Sequence, residues 1–189
     1  MTAQLQSVNR KAPGDLRRTV RGRTRAAHDR VDAAFSRFDL RIREDYAAFL
    51  AANAAVVPAV EAALAAGGVH ALVDDWPDRL RTPALMFDLQ KLGIDPPPAL
   101  PAPALRSEAE VLGALYVVEG SRLGARLLLG RARSSPDPML RGATAYLAHG
   151  EGHRFWPALL QVLDGYRGDP EAVADGAQTA FELFARAAR

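Results

Sequence analysis

Apolar residues recur along the chain at spacings of three and four, which predicts helices from end to end, and no β-hairpin signal interrupts them. The first helix is predicted over about Asp15 to Phe38, where Val20, Ala27, Val31, Ala34, Phe35 and Phe38 make one stripe. A second begins near Arg43 and runs through Tyr46, Phe49 and Leu50 towards Ala66. Gly67-Gly68 should end it and Pro58 should kink it. Asp75-Trp76-Pro77 opens a short segment. Thr82-Pro83 reads as an N-cap with a first-turn proline, for a helix ending near Leu92-Gly93. Residues 94–105, IDPPPALPAPAL, read as a stiff extended connector inside one domain. Ser107 and Glu110 then have the spacing of a capping box at the head of a long helix. Ser134 to Pro138 breaks the chain, and one helix is expected from there to about Leu147. Gly150 and Gly152 make a turn before a helix over Arg154 to Tyr166. Asp169-Pro170 caps a last helix carrying Val173, Ala177, Phe181 and Phe184. The expected fold class is all-α, with seven or eight helices.

Composition narrows the class further. A chain of 189 residues is expected to form one domain, over 14–189, behind a flexible basic tail at 1–13. Without any cysteine there is neither a disulfide framework nor a thiolate metal site. No apolar run reaches the roughly 18 residues of a membrane span, and the N-terminus has no secretory stretch, so a cytoplasmic protein is expected. The formal net charge is only +2, but Arg10, Lys11, Arg17, Arg18, Arg21, Arg23, Arg25 and Arg30 crowd the first thirty residues. Asp15 and Asp29 are the acids among them. With no aromatic residue before Phe35 and no recognition motif, this basic run does not read as a nucleic-acid site. Attraction of an acidic partner or of ligand carboxylates suits it better.

The helix after the capping box contains a puzzle. In ALYVVEGSRLGARLLLG, residues 114–130, Gly120 and Gly124 sit in the middle, with Gly113 and Gly130 near the ends. Each interior glycine costs a helix about 1 kcal/mol relative to alanine. Four residues apart, Gly120 and Gly124 share one face. That bare face fits a close helix crossing, or the approach of something flat and rigid to the backbone.

Of the four histidines, His28 borders the apolar stripe of the first helix, with Asp32 one turn further on. A carboxylate on one ring nitrogen is how a neutral imidazole is prepared to ligate iron. A partly buried histidine satisfied by its neighbour has the same pattern. His149 and His153 flank Glu151 in HGEGH, but the two glycines break the helix that a metal pair at this spacing needs, so a solvated turn is expected. Tyr116, Tyr146, Tyr166 and Trp156 read as core or core-edge residues. No phosphate loop, nucleotide fingerprint or nucleophile elbow is present.

Three segments taken in order resemble the heme oxygenase family, in particular its bacterial, bacteriophytochrome-associated branch. TRAAHDRVD, residues 24–32, resembles the proximal helix. YVVEGSRLGA, residues 116–125, resembles the distal helix with its paired glycines, and AYLAHGEGHRFWPALLQVLD, residues 145–164, resembles the turn and helix that follow. The resemblance spans nearly the whole domain and implies a multihelical fold that sandwiches haem between a proximal and a kinked distal helix. It makes His28 the iron ligand, within the motif that also holds Thr24 and Asp32. It sets Gly120, Ser121 and Gly124 on the catalytic distal face, and Arg21 and Arg154 against the haem propionates. Two positions depart from the better-known members, which have aspartate where Ser121 stands and a further glycine where Ala125 stands.

The implied reaction uses haem as substrate and cofactor together. It consumes dioxygen and electrons from a donor such as ferredoxin, flavodoxin or a reductase, and yields biliverdin, carbon monoxide and ferrous iron. A bacteriophytochrome would receive the biliverdin. The alternatives are a non-catalytic haem carrier of the same fold, and a helical protein of thiaminase-like architecture. The lack of any cysteine nucleophile opposes the last of these.

Overall fold

The computed structural model describes residues 14–188, so the basic tail at 1–13 lies outside the described residues. The described residues form nine α-helices and a 3-10 turn: α1 (Asp15–Ser36), α2 (Arg43–Ala66), the turn Val69–Ala71, α3 (Trp76–Arg79), α4 (Thr82–Lys91), α5 (Glu108–Arg133), α6 (Pro138–Gly142), α7 (Ala145–Ala148), α8 (Phe155–Gly165) and α9 (Pro170–Ala187). The all-α expectation holds, and the boundaries of the long helices fall within about two residues of those read from periodicity.

Local chemistry explains several helix ends. Ser107 Oγ accepts from Glu110 N at 3.2 Å, while the Glu110 carboxylate reaches back to Arg106 N at 2.6 Å, so the capping box closes one residue early. Asp137 and Asp169 cap α6 and α9 through Met139 N and Glu171 N, both at 2.9 Å.

Two expectations need correcting, and both corrections come from carboxylates far away in sequence. Thr82 is not the N-cap of α4, because that position belongs to Arg81. Glu61 of α2 satisfies the helix start instead, accepting from Arg81 N at 2.6 Å and Thr82 Oγ1 at 2.6 Å. The single helix expected before Leu147 is two, α6 and α7. Asp88 of α4 caps the second one, accepting from Ala145 N at 3.0 Å and Tyr146 N at 2.8 Å. Burial pushes the Asp88 carboxyl above its ordinary value, against the two backbone N–H groups that hold it charged.

The core lies between α9, α5, α1 and α2. By length and composition α2 could span a membrane, yet 67% of its most apolar window is buried within the bundle, as in a core helix. It continues unbroken through Pro58, and Leu100 of the extended connector donates its N–H to Ala55 O at 2.7 Å on that helix.

The α5–α9 crossing uses glycines, but not the pair at the centre of the puzzle. A Cβ on Gly113 would lie 1.9 Å from Val173 O, and one on Gly176 would lie 2.1 Å from Glu110 O. Here backbone meets backbone, and only glycine fits. Gly113→Ala is therefore expected to destabilise the ligand-free protein by about 1–3 kcal/mol despite alanine's better helix propensity. A urea titration of the variant beside the wild type measures it; an unchanged midpoint would contradict this packing.

Candidate haem site

Gly120 and Gly124 meet no such barrier. A Cβ on Gly120 would touch only the Trp156 ring, at an ordinary 3.5 Å, and among the described residues nothing lies within 4 Å of a Cβ on Gly124. Both line a cavity of about 390 Å³, a size typical of small-molecule sites. The helix-crossing reading of this pair is thereby removed, and the approach of a ligand remains.

His28 of α1 lines the same cavity. Its Nδ1 lies 3.1 Å from Asp32 Oδ2. A carboxylate only accepts, so Nδ1 carries the proton and Nε2 keeps the lone pair a metal needs. The ring stands edge-on to Phe181 of α9, with centroids 5.5 Å apart. Val31, Phe35, Val117, Leu128 and Phe184 make the remaining wall largely apolar. A flat macrocycle with a metal at its centre suits this lining. The imidazole offers one nitrogen, α5 offers bare backbone at Gly120 and Gly124, and much of the remaining lining is apolar.

The predicted site residues divide into two groups. His28, Asp32, Gly120, Ser121 and Gly124 come together around the cavity. Thr24 does not line it: buried on α1, its Oγ1 donates to Val20 O at 2.8 Å, so its hydroxyl is consumed by its own helix. Arg21 and Arg154 are exposed and do not line the cavity either. Burial raises the phenol of Tyr116, a lining residue, and positive charge from Arg21 and Arg17 opposes that shift. Ala125 is buried and lines the cavity.

Sequence reasoning missed several lining residues. Tyr116, Tyr146 and Trp156 are core or core-edge residues as expected, and all three also line the cavity, which their pattern did not indicate. Arg81 was not singled out at all. It is 3% exposed, donates from Nη1 to Ser121 Oγ at 2.7 Å, and stacks its guanidinium 4.1 Å from the Tyr146 ring centroid. Its Nε is buried with no hydrogen-bond partner among the described residues. Ser121 in turn donates to Val118 O at 2.7 Å, which fixes its hydroxyl as the acceptor for Arg81. No local signal marks Arg81, because it reaches the site from the loop before α4, forty residues from Ser121.

The HGEGH turn separates its two histidines. His153 stacks on Phe155 at 4.6 Å, while His149 Nδ1 lies 2.8 Å from Arg122 Nη1. Burial first, then the charges of Arg122, Arg81 and His153, push the His149 pKa down to about 4. The unfolded chain, with an ordinary histidine, binds more protons than the folded one between about pH 4 and 6.5. Stability should therefore fall as pH drops through that window, by at most about 3 kcal/mol from this group. Urea midpoints at several pH values should show this, with the slope reduced in His149→Asn; equal slopes would refute it.

Comparison with known proteins agrees with the geometry. No family model matches the chain. A heme oxygenase from Xanthomonas campestris is 39% identical over 114 residues, covering 58% of this chain and 67% of that protein. The heme oxygenase PigA of Pseudomonas aeruginosa is 31% identical over 186 residues, covering 92% of this chain and 93% of that one. The structure of the NO- and CO-bound heme oxygenase from Neisseria meningitidis superposes with a TM-score of 0.73 at 25% identity, over 92% of this chain and 90% of the other. With two curated relatives, one of them aligned over nearly its full length, and a shared fold, this chain belongs to the heme oxygenase family.

Proposed function

We propose that the protein cleaves haem oxidatively to biliverdin, carbon monoxide and ferrous iron, using dioxygen and electrons delivered by a separate donor such as ferredoxin, flavodoxin or a reductase. The observation that carries this reading is that the unobstructed Gly120–Gly124 backbone face and His28 line one largely apolar cavity. When bound, haem supplies the iron and the porphyrin edge at which oxygen chemistry occurs. The chain's own residues hold and orient it. His28 ligates through Nε2, and Asp32 fixes the ring and raises its basicity from Nδ1. Gly120 and Gly124 let the macrocycle lie against the helix backbone. Ala125 adds a methyl group to this cavity wall where a further glycine is usual.

Arg81 and Ser121 form the polar corner of the distal side. With Ser121 Oγ accepting from Arg81 and donating to its own helix, neither group is a strong acid. The pair suits the ordering of water that relays protons, in the position where an aspartate does this in better-known members. Arg21 and Arg154, both exposed, would meet the propionates, since guanidinium suits carboxylate. The likeness to the bacteriophytochrome-associated branch supports a bacteriophytochrome as receiver of the biliverdin.

A haemin titration followed by reduction in air tests this reading. A Soret band that appears at one equivalent, then decays into biliverdin absorption when ascorbate or a reductase is added, is the expected result. A stable haem complex that never bleaches would instead mark a carrier of the same fold. Absence of any Soret band would refute haem binding.

A further inference from the structure

The far side of α5 contains an ionic cluster that the reaction as proposed does not use. At 100° per residue, Arg122 lies about 200° around the helix from Gly120, with Glu119 beside it. Both are buried, Glu119 completely. Arg122 grips Glu119 with two parallel bonds, Nε to Oε2 and Nη2 to Oε1, each 3.0 Å long. Arg79 of α3 approaches the same carboxylate at 3.3 Å and pairs with Asp75 through its other nitrogens. Arg122 Nη2 also donates to Arg79 O at 2.5 Å, and Nη1 donates to His149 O at 3.3 Å. The remaining contact of Nη1 is His149 Nδ1. Guanidinium only donates, so this imidazole must offer a lone pair there, the opposite tautomer to His28.

The cluster reaches the cavity through the neighbouring Phe155 and Trp156. The Phe155 ring lies 4.7 Å from the Arg79 guanidinium and 5.1 Å from that of Arg122, and its carbonyl accepts from Arg79 at 3.2 Å. The next residue, Trp156, is the ring that leans on Gly120 and on Tyr116. The turn is shaped to allow this contact. Gly150 has φ +85°, and a Cβ there would crowd both Phe155 and Arg122.

We propose that His149, through Arg122 and Glu119, is a positioning residue for the distal face: it fixes the rotation of α5 and the start of α8, and so sets where Gly120, Ser121 and Trp156 stand relative to the substrate. Buried charges joined by several directional bonds have one well-satisfied arrangement, which makes them suited to setting a register. Beside the carboxylates and backbone carbonyls, His149 Nδ1 supplies the neutral side-chain acceptor in that arrangement. Its protonation would turn the acceptor into a cation facing Arg122, with Arg81 and His153 adding to the repulsion.

The test compares His149→Leu, which removes the acceptor, with His149→Asn, whose Oδ1 can replace Nδ1. Hydrogen exchange on the ligand-free protein is followed in peptides covering 116–125 and 153–160, with α1 and α2 as references. His149→Leu is expected to exchange about tenfold faster in those two segments alone, and His149→Asn to restore wild-type rates. Wild-type protein taken towards pH 4 should show the same local change, which keeps the test open if the leucine variant fails to fold. The second readout is the distribution of biliverdin isomers, which should shift in His149→Leu and return in His149→Asn; this part rests on the proposed reaction. Unchanged local exchange, an equal rise in every helix, or an unshifted isomer distribution in a locally loosened variant would each overturn the positioning role. If the wild type forms no biliverdin, the proposed reaction fails while the exchange data still judge the clasp.

Discussion

His28→Ala is expected to lose the haem spectrum of the wild-type complex and to recover it when imidazole is added. The Asp32 carboxylate at 3.1 Å from Nδ1 leaves Nε2 as the nitrogen for iron, so in the proposed site the ring would be both the anchor and the electronic partner of the metal. Changing a group that only orients such a ligand costs about 10–100-fold in affinity, and removing the ligand itself should cost more. Asp32→Asn should fall in that smaller range, with the spectrum shifted rather than lost. The side chain of His28 is 55% exposed and edge-on to Phe181, so its removal should leave the fold intact. Titrations of haemin into both variants, with and without imidazole, measure these effects. A wild-type spectrum in His28→Ala would exclude His28 as the ligand.

The second large effect belongs to the glycine face. Gly124→Leu should abolish biliverdin formation while the ligand-free protein melts at the wild-type temperature or slightly above it. The side chain would project into the cavity, where nothing opposes a Cβ among the described residues. Replacing a helical glycine by leucine favours the helix by up to about 1 kcal/mol. Gly120→Leu should behave similarly, with some strain against Trp156. Gly113 makes the control, since a side chain there strikes the α9 backbone and the loss should appear as stability. One assay of turnover and one melt per variant thus separate a ligand face from a packing face on a single helix. A Gly124→Leu protein that still turns haem over at the wild-type rate would remove the physical basis of the proposed site.

The same contrast shows what could be read from the sequence and what could not. Helix type and extent follow from interactions within a turn or two, and those are written locally. The 3.6-residue stripes of α1 and α9, the Ser107–Glu110 pair and the Asp169-Pro170 start all appear in the structure where the chain alone places them. The candidate pair of His28 and Asp32 is equally local, one turn apart on one helix. Everything that depended on a partner distant in sequence was undetermined. Thr82 has the chemistry of a cap, yet Glu61 from twenty-one residues away reaches the backbone first. The helix before Leu147 divides because Asp88 arrives from α4 to cap its second half. Arg81, Tyr146 and Trp156 carry no motif, and become cavity residues only because three separate elements converge there. Gly113, Gly120 and Gly124 are the same residue on the same helix, and the sequence could not say which were for packing. A missing side chain makes room without naming what fills it; α9 fills it at Gly113, while the cavity stands open at Gly124.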